Sequence, residues 1–487
     1  MIESGSSPRP DADPPPPGNR TFDELAVGDA TSVTRELTAQ DVSLVAAMAG
    51  GLVVDDVGAE GGHRLATAGI GYAGWVAALV PTLLGTALPG PGTVYRGQTI
   101  RYFGEIHAGD VVTITLTVTE KRADDHVVLL DCRAVNQRSQ TVMTGVAEVV
   151  APTSHRDGRP GVAPDVVFHD HQHYEALIQA SRGEAPVPTA VAYPCEESAL
   201  LGAVEAADAG IIAAILVGPA GRIRDLANAS GISLEGIEIV DVPDAQGPAA
   251  AAARAVELVR ERRVRMVMKG SLHTDEMMRA VVSRDSGLRT TRRVSHVFMF
   301  DVPTYPKPLF VTDAAINISP TLEDKADICR NAIELGHAVG IAVPKVAILG
   351  AVEVVNPAMP STIDAAALCK MADRGQIAGG LLDGPLAMDN AISPAAAHTK
   401  HIVSAVAGDA DILLVPDLEA GNILYKNLTY LARADAAGIV LGARVPVILT
   451  SRSDSVRTRL ASAALAAGYV RWQRTEAART DQSAGPR

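Results

Sequence analysis

The sequence is poor in aromatic side chains, which make up only 3% of its 487 residues. Because hydrophobic residues still make up 47%, any buried core must be built mainly from Ala, Val, Leu and Ile. Cysteine is also scarce, and no CxxC pair occurs, which excludes a disulfide framework and a cysteine zinc site and favours a reducing compartment. The four cysteines are Cys132, Cys195, Cys329 and Cys369.

Long apolar runs and an excess of basic charge are absent as well. No run of about 18 apolar residues occurs, so no membrane-spanning helix is predicted. The formal net charge of −13 argues against a nucleic-acid-binding protein. Residues 1–20 lack the apolar segment of a signal peptide and are rich in Pro, Ser and Asp, so we predict a disordered tail and a cytoplasmic protein.

Residues 21–152 have the pattern of a compact α+β domain. Helices are predicted over Ala39–Ala49 and Ala68–Leu84. The segments that follow alternate apolar and polar residues and are bounded by Gly, Asp and Asn, which is typical of antiparallel strands. Residues 153–172 are predicted to be a linker. The predicted strands are Gly92–Phe103, Asp110–Glu120, His126–Asn136 and Gln140–Ala151.

Residues 173–475 have a different pattern, in which apolar strands alternate with helices. Such alternation predicts a mainly parallel α/β sheet, whose ligands bind beyond the carboxyl ends of the strands. The length exceeds the roughly 100–200 residues of a typical domain, so we expect two lobes with a cleft, followed by a frayed tail over residues 476–487. The predicted strands are Ile211–Val217, Gly236–Val242, Arg265–Lys269, Lys345–Leu349, Ile412–Val415 and Val445–Thr450, and the predicted helices include Gly247–Glu261, Glu323–His337 and Leu418–Ala434.

The segment Met268–Arg279 follows a predicted strand and opens a helix. Free backbone N–H groups at a helix start, together with Lys269 and Arg279, suit a phosphate or diphosphate. An ordinary turn with a helix cap at Thr274 explains the same residues, so both interpretations remain open at this point.

Ser451, Arg452 and Asp454 follow the last predicted strand. Arginine can bind phosphate through two parallel hydrogen bonds, serine can donate to a developing oxyanion, and aspartate can take a proton. The alternative is that the serine or the aspartate only caps the helix that begins near Val456.

The segment Lys370–Ser393 places several polar side chains among glycines and small apolar residues. Its Asp383, Asp389 and Asn390 therefore sit on tight backbone, which is typical of a pocket for an anionic substrate. Lys400 lies shortly after this segment, although a lone lysine is usually solvated.

Another strand-to-helix segment, Val415–Lys426, carries Asn422 and Lys426 one turn apart, which places both on one helix face. His169, His171 and His173 alternate as metal ligands can, but supporting Cys or carboxylate ligands other than a single neighbouring aspartate are missing, so no metal site is predicted.

The second half resembles the phosphate acetyl/butyryl transferase family. The matching segments occur in order from Tyr174 to about Gly468, and they include MKGSLHTDE, RRVSHVFMFDVPTYPKPLFVTDAAINISPTLEDK, PKVAILGAVEVVNPAMPST, CKMADRGQI, DGPLAMDNAIS, VPDLEAGNILYK and LTSRSDS. The resemblance implies reversible transfer of a short acyl group, acetyl or butyryl, between CoA and inorganic phosphate. Acyl-CoA, phosphate and acyl phosphate would be the reactants, without a metal or redox cofactor.

The same resemblance implies an architecture. It is a two-lobed α/β fold similar to isocitrate and isopropylmalate dehydrogenases, with an inserted lobe at about residues 317–443. It also implies a homodimer or a higher homo-oligomer.

The family also implies roles for particular residues. Ser451 and Arg452 match its Ser-Arg pair at the reacting centre, and Arg279 matches an arginine near CoA or phosphate. The catalytic aspartate of acetyl-specific members lies further beyond the Ser-Arg pair, where this sequence has Val456 and Arg457. Asp454 is the nearest carboxylate and is therefore the predicted base. The predicted residues for binding CoA or phosphate are Lys269, Gly270, Arg279, Asp383, Asp389, Asn390, Lys400, Asn422 and Lys426.

The first half resembles the MaoC-like enoyl-CoA hydratases, which have a hotdog fold, through FDELAVGD and LGTALPGPGTVYRGQTIRYFGEIHAGDVVTITLTVTEK. Active hydratases carry a D-x-N-P-x-H motif whose Asp and His activate water. The equivalent stretch, Gly50–Gly58, has Gly51 and Asp56 at these two positions. We therefore predict that hydratase chemistry is lost, with His63 as the one candidate replacement.

The preferred interpretation is a phosphate acyltransferase joined to a hotdog domain that no longer acts as a hydratase. The alternative is a true bifunctional enoyl-CoA hydratase/phosphate acetyltransferase. A metal- and NAD-dependent dehydrogenase of the same fold and a non-catalytic acyl-CoA sensor are further alternatives, and the ordered transferase segments disfavour the dehydrogenase.

Overall fold

The computed structural model describes residues 18–48, 55–57, 63–65, 68–104, 106–156, 171–450 and 454–483. The chain divides into two compact units, Met1–Phe168 and His169–Arg487. Within the described ranges, no helix is long and apolar enough to cross a membrane.

The N-terminal unit is an antiparallel sheet with one long helix packed on it, as expected of a hotdog fold. Its strands lie in the order β1-β5-β6-β7-β4, and β2 and β3 form a separate pair. The two helices and the four strands predicted for this region are confirmed to within a few residues, whereas β1, β2 and β3 were not predicted. The elements are β1 (Ala30–Glu36), α1 (Ala39–Met48), β2 (Asp55–Val57), β3 (His63–Leu65), α2 (Ala68–Thr86), β4 (Val94–Tyr102), β5 (Val111–Arg122), β6 (Val127–Asn136) and β7 (Thr141–Val150).

The core of this unit combines two sequence periods. Strand β5 buries every second residue, including Ile114 and Leu116, as a half-buried strand must. Helix α2 supplies apolar side chains at helical spacing, among them Val76, Val80 and Leu84. Both sets belong to one hydrophobic cluster, so the helix closes the apolar face of the sheet.

Residues at the two ends of this unit are hydrogen-bonded to each other. The side-chain amide of Asn19 donates to the carbonyl oxygen of Ser154 at 2.8 Å, and its Oδ1 accepts from the backbone N–H of Arg156 at 2.7 Å. Asn19 is buried. The end of the predicted tail and the start of the predicted linker are therefore packed parts of the unit; residues 1–17 and 157–170 lie outside the described residues.

The C-terminal unit is an α/β structure built on one sheet of eleven strands. Its strands are β8 (Val187–Ala192), β9 (Ile212–Gly218), β10 (Glu238–Asp241), β11 (Met266–Lys269), β12 (Ser295–Asp301), β13 (Leu309–Thr312), β14 (Lys345–Leu349), β15 (Leu381–Leu386), β16 (Ile412–Leu414), β17 (Asp435–Leu441) and β18 (Val447–Ile448). Its helices are α3 (Gln172–Gln179), α4 (Glu197–Asp208), α5 (Ala220–Ala229), α6 (Gly247–Arg260), α7 (Thr274–Val281), α8 (Leu322–Ala338), α9 (Pro360–Asp373), α10 (Met388–Ile392), α11 (Pro394–Thr399), α12 (Leu418–Lys426) and α13 (Val456–Ser483).

The strand order is β10-β9-β8-β11-β18-β17-β12-β13-β16-β14-β15. The first five strands are parallel to one another, and so are the last four. Because the central strands β17 and β12 pair antiparallel with their neighbours, the two parallel groups run in opposite directions. Their carboxyl ends consequently lie at opposite edges of the sheet, which a simple alternation of strands and helices does not predict.

Helices cover both faces of this sheet. Along β11, Met266 and Met268 belong to one hydrophobic cluster and Val267 belongs to another. Both faces are thus buried, which explains why the strands are continuously apolar. The predictions omitted β8, β12, β13, β15 and β17 among the strands.

Two helix ends differ from the prediction. The helix predicted over Leu418–Ala434 is α-helical only as far as Lys426. A π-helical turn follows over Asn427–Leu431. The tail predicted from residue 476 is instead helical as far as Ser483, because its Ala, Arg, Glu and Gln residues favour helix over coil.

Candidate functional site

The two glycine- and serine-containing motifs follow neighbouring parallel strands. Met268 of β11 is paired with Ile448 of β18, so Lys269 and Leu449 leave the sheet side by side at the same edge. Ser451 and Arg452 follow two and three residues later in the chain; both lie outside the described residues. The pairing of the strands therefore brings the ends of β11 and β18 to the same edge of the sheet.

The turn after β11 packs directly against the turn after β8. The N–H of Gly270 donates to the carbonyl oxygen of Ala192, and that of Ser271 donates to Tyr193, both at 2.9 Å. A Cβ atom on Gly270 would lie 2.4 Å from the Ala192 oxygen and 2.5 Å from the Tyr193 oxygen. This position therefore requires glycine, because two backbone segments meet there. Ser271 Oγ also accepts from the N–H of Cys195 at 2.8 Å.

Lys269 and Arg279 occupy different environments. Lys269 is 2% exposed, and its ammonium group donates to the carbonyl oxygens of Gly270 and Leu272 at 3.4 and 3.3 Å. In this structure it holds the turn after β11. Arg279, on α7, has a side chain that is 78% exposed and lies 3.6 Å from Asp275. Its guanidinium is therefore accessible to a dissolved ligand.

Next to this turn lies a polar group that the sequence analysis missed. Arg222 donates to the hydroxyl of Tyr193 at 2.9 Å, and that hydroxyl lies 3.2 Å from a carboxylate oxygen of Asp244. The three residues come from the ends of β8, β9 and β10, or from the helices and turns that follow. Tyr193 could have been found from its position, because it is the first residue after an apolar strand.

Helix α12 contacts chain segments that follow β13 and β18. At its centre, Asn422 approaches the carbonyl oxygen of Ala314, which follows β13. Near its end, the ring of Tyr425 stacks on Phe298 of β12 at a centroid distance of 4.2 Å. The hydroxyl of Tyr425 reaches Oδ1 of Asp454 at 3.5 Å. Lys426, one turn after Asn422, is exposed.

Tyr425 can act on Asp454 only as a donor. Burial raises the pKa of Tyr425 well above its ordinary value, and the neighbouring Asp454 raises it further. The phenol therefore keeps its proton at all physiological pH values and offers it to the carboxylate. Asp454, the predicted base, lies two residues before α13 begins, and this contact links it to α12.

The turn after β13 is organised by a buried carboxylate that the sequence analysis also missed. Asp313 is 2% exposed and accepts from the N–H groups of Ala315, Ile316 and Asn317. Burial raises the pKa of Asp313, and these hydrogen bonds oppose the shift. Asp313 could have been recognised in the sequence because it directly follows the apolar strand β13.

A second group of predicted residues meets beyond β14 and β15. Lys400 donates to Oε2 of Glu353 at 3.1 Å and lies 3.5 Å from Asp389. The hydrogen bond from Lys400 lowers the pKa of Glu353, and the same contact raises that of Lys400. Asn390 is fully buried with its Nδ2 3.4 Å from Glu353.

Asn390 and Asp383 differ in their hydrogen bonding. The Oδ1 atom of Asn390 is buried without a hydrogen-bond partner among the described residues. Asp383, on β15, is half-buried and accepts from the N–H of Gly384 at 2.8 Å. Close by, an apolar cavity of about 400 Å³ is lined by residues that include Leu349, Met388 and Ile423.

The predicted site residues therefore fall into two groups. Lys269, Gly270 and the chain leading to Ser451 lie at one edge of the sheet. Asp389, Asn390 and Lys400 lie beyond strands whose carboxyl ends face the other edge. Among the described residues, no group of three or more His, Cys, Asp or Glu side chains is placed to hold a metal ion. His171 is paired with Asp435.

Comparison with known proteins shows which family the C-terminal unit resembles. The family model described as phosphate acetyl/butaryl transferase matches residues 245–467. The phosphate acetyltransferase of Rhizobium meliloti is 61% identical over 297 residues, which are 61% of this chain and 93% of that protein. The phosphate butyryltransferase of Clostridium acetobutylicum is 45% identical over 294 residues, which are 60% of this chain and 97% of that protein.

A solved phosphotransacylase structure is also similar to this chain. The branched-chain phosphotransacylase of Enterococcus faecalis V583 is 31% identical, covers 58% of this chain and 99% of its own, and superposes with a TM-score of 0.52. The matched residues contain the two strand ends, the Asp313 turn and helix α12 described above. The chain therefore belongs to the phosphate acetyl/butaryl transferase family.

Proposed function

We propose that this protein transfers a short acyl group, acetyl or butyryl, reversibly between CoA and inorganic phosphate. The observation that carries this proposal is the pairing of β11 with β18, which directs Lys269-Gly270 and the chain leading to Ser451-Arg452 toward one edge. The 61% identity to a phosphate acetyltransferase along nearly its whole length supports the same activity.

The chemistry assigns distinct tasks to three residues. In the direction of CoA acylation, the thiol must lose its proton before sulfur attacks the acyl phosphate carbonyl, because only the thiolate is strongly nucleophilic. Asp454 takes that proton and passes it to the phosphate oxygen that leaves. Ser451 donates to the oxyanion that forms on the carbonyl, and Arg452 binds the phosphate that leaves.

In the opposite direction the same groups exchange roles. Hydrogen phosphate gives its proton to Asp454 as its oxygen attacks the thioester carbonyl, CoA departs as the thiolate, and protonated Asp454 returns the proton to sulfur. Tyr425, whose hydroxyl lies 3.5 Å from Asp454, donates a hydrogen bond that orients the carboxylate and keeps its own proton at neutral pH. Arg279 is exposed and available for the phosphates of CoA.

Several finer features belong to this proposal. The C-terminal unit would work as two lobes, as in isocitrate and isopropylmalate dehydrogenases, with the CoA site in the cleft. The reaction would need no resident metal or redox cofactor, because proton transfer and charge stabilisation come from side chains. We also propose a homo-oligomeric protein that acts in the cytoplasm.

The first experiment is phosphate-dependent CoA release from acetyl-, propionyl-, butyryl- and crotonyl-CoA. Release that requires phosphate supports the proposal, and the best substrate defines the acyl group. Absence of release from all four substrates, with folded protein, would reject it. One methylene group changes discrimination by only ~1–3 kcal/mol, so the series needs full kcat/KM values.

Variants then test the site. We expect Arg452→Ala and Asp454→Asn each to lower kcat by about 10²-fold or more, since each removes a group used in the transition state. Tyr425→Phe should lower kcat less, because the base itself remains. Arg224→Ala, an exposed arginine on α5, is the control and should leave turnover unchanged. Near-normal turnover by Arg452→Ala would show that the assigned centre is wrong.

A further inference from the structure

Four arginines line one cavity at the edge of the sheet where β11 and β18 begin. The cavity measures about 340 Å³, and its arginines are Arg260, Arg262, Arg265 and Arg444. Buried apolar residues, including Val264 and Leu288, also line it. None of the described residues that line it is a carboxylate.

These guanidinium groups differ from their neighbours in having no protein partner. In the described part of the chain, none of the four side chains makes a hydrogen bond or an ion pair. The nearby carboxylates are already engaged, because Glu257 and Glu261 pair with Arg254 and Glu238 pairs with Arg263. The four positive charges are therefore left together in a protein whose net charge is −13.

Local structure explains only one of the four. Arg260 ends α6, where a cation interacts favourably with the helix dipole. Arg262 lies just beyond this helix in the left-handed region, with φ 61°, where glycine is the usual residue. Arg444 comes from the separate connection between β17 and β18, so the basic stretch after α6 does not by itself produce the cluster.

We propose that this cavity binds a small polyanion that carries at least two phosphate or carboxylate groups. A planar guanidinium donates two parallel hydrogen bonds to either kind of group, so four of them can hold two anionic groups at once. The volume lies at the lower end of small-molecule sites and suits a compact anion. Binding would also remove the mutual repulsion of the four charges.

The cavity is separate from the transferase centre. Arg265 immediately precedes β11 and Arg444 lies shortly before β18, whereas Lys269 is the last residue of β11 and Ser451 comes after β18 in the chain. At ~3.3 Å per residue, the four residues from Arg265 to Lys269 span about 13 Å. A ligand in the cavity therefore need not displace CoA or phosphate from that centre.

The test is calorimetric titration of the full chain with inorganic diphosphate and, separately, with citrate. CoA and orthophosphate are left out, because their phosphate groups would compete for the same arginines. We expect binding that weakens as ionic strength rises. Tighter binding of diphosphate would identify a phosphate ligand, and tighter binding of citrate would identify a carboxylate ligand. No binding of either would overturn the proposal.

Variants locate the binding. The double variant Arg262→Gly/Arg444→Ala should weaken binding at least tenfold, Arg262→Lys should retain part of it, and Arg224→Ala should change nothing. Glycine at position 262 accepts the left-handed backbone more readily than arginine, so the melting temperature should not fall with Arg262→Gly. Undiminished binding by the double variant would show that the arginines are only a solvated surface.

Discussion

The side-chain amide of Asn317 donates to Oδ2 of Asp313 at 2.6 Å, and each residue is only 2% exposed. Arg293 extends the network by donating to Oδ1 of Asn317 at 2.6 Å. The turn after β13 thus depends on one carboxylate, and helix α12 packs on it closely. A Cβ atom on Gly421 would lie 2.8 Å from the carbonyl oxygen of Asp313.

Removing this carboxylate should destabilise the C-terminal unit. Asp313→Ala leaves three backbone N–H groups and the Asn317 amide without their acceptor, so we expect a loss of at least about 3 kcal/mol of unfolding free energy. Asp313→Asn should cost less, because one oxygen acceptor remains. Asp373→Ala, at an exposed ion pair with Lys370, is the control and should change the value by less than about 1 kcal/mol. Urea unfolding measures the unfolding free energy of all three variants. Equal losses in Asp313→Ala and the control would show that the Asp313 carboxylate does not stabilise the turn.

The close approach at Gly270 gives a second prediction. Gly270→Ala places a methyl group against the Ala192 and Tyr193 oxygens, both of which belong to the backbone and cannot rotate away. The turns after β8 and β11 must separate, so we expect a loss of about 1–3 kcal/mol and a rise in the KM for CoA or phosphate.

A second glycine provides the matched control for Gly270→Ala. Gly468 lies inside α13, and a Cβ atom there would meet nothing within 4 Å. Gly468→Ala should therefore stabilise the protein by roughly 0.5–1 kcal/mol, since alanine favours helix, and it should leave both KM values unchanged. Thermal unfolding and steady-state kinetics separate the two variants; identical behaviour would show that the contact at Gly270 has no consequence.

The sequence predicted most elements of the N-terminal unit because β5 and its neighbours alternate cleanly between apolar and polar residues. In the C-terminal unit, β12 and β13 were missed because both faces of the sheet are buried there and the apolar runs have no period. The reversal of direction at β17 and β12 depends on pairing between distant strands, which no local pattern contains. For the same reason Lys269 and Asp389 could both be recognised as polar groups after strands without any sign that they lie at different edges.

Loss of hydratase chemistry in the N-terminal unit is a third prediction. The stretch Gly50–Gly58 has Gly51 and Asp56 where hydratases of the MaoC type have Asp and His, and most of it lies outside the described residues. Without that pair, water is not activated for addition to the double bond. Hydration of crotonyl-CoA should therefore stay at background in samples that show phosphate-dependent CoA release. Robust hydration abolished by Asp55→Ala or His63→Ala would establish a bifunctional enzyme instead.

The buried imidazole of His296 makes stability depend on pH. The residue is 1% exposed on β12, its ring lies 4.1 Å from that of Phe298, and neither ring nitrogen has a hydrogen-bond partner among the described residues. Burial lowers the pKa of His296 to about 3. The folded protein therefore keeps this ring neutral well below the pH at which the unfolded chain protonates it.

The sign of the effect follows from proton binding. Below about pH 6.5 the unfolded state takes up a proton on His296 and the folded state does not, so the unfolding free energy falls as the pH decreases toward 3. Between pH 7 and pH 5 this one group should remove about 2 kcal/mol. His296→Leu abolishes the titration and should reduce the pH 7 to pH 5 difference by that amount. Phe298→Leu alters the same packing without a titrating group and should leave the difference intact. Urea unfolding at the two pH values decides the matter, and an unchanged difference in His296→Leu would mean that the ring is protonated in the folded protein as well.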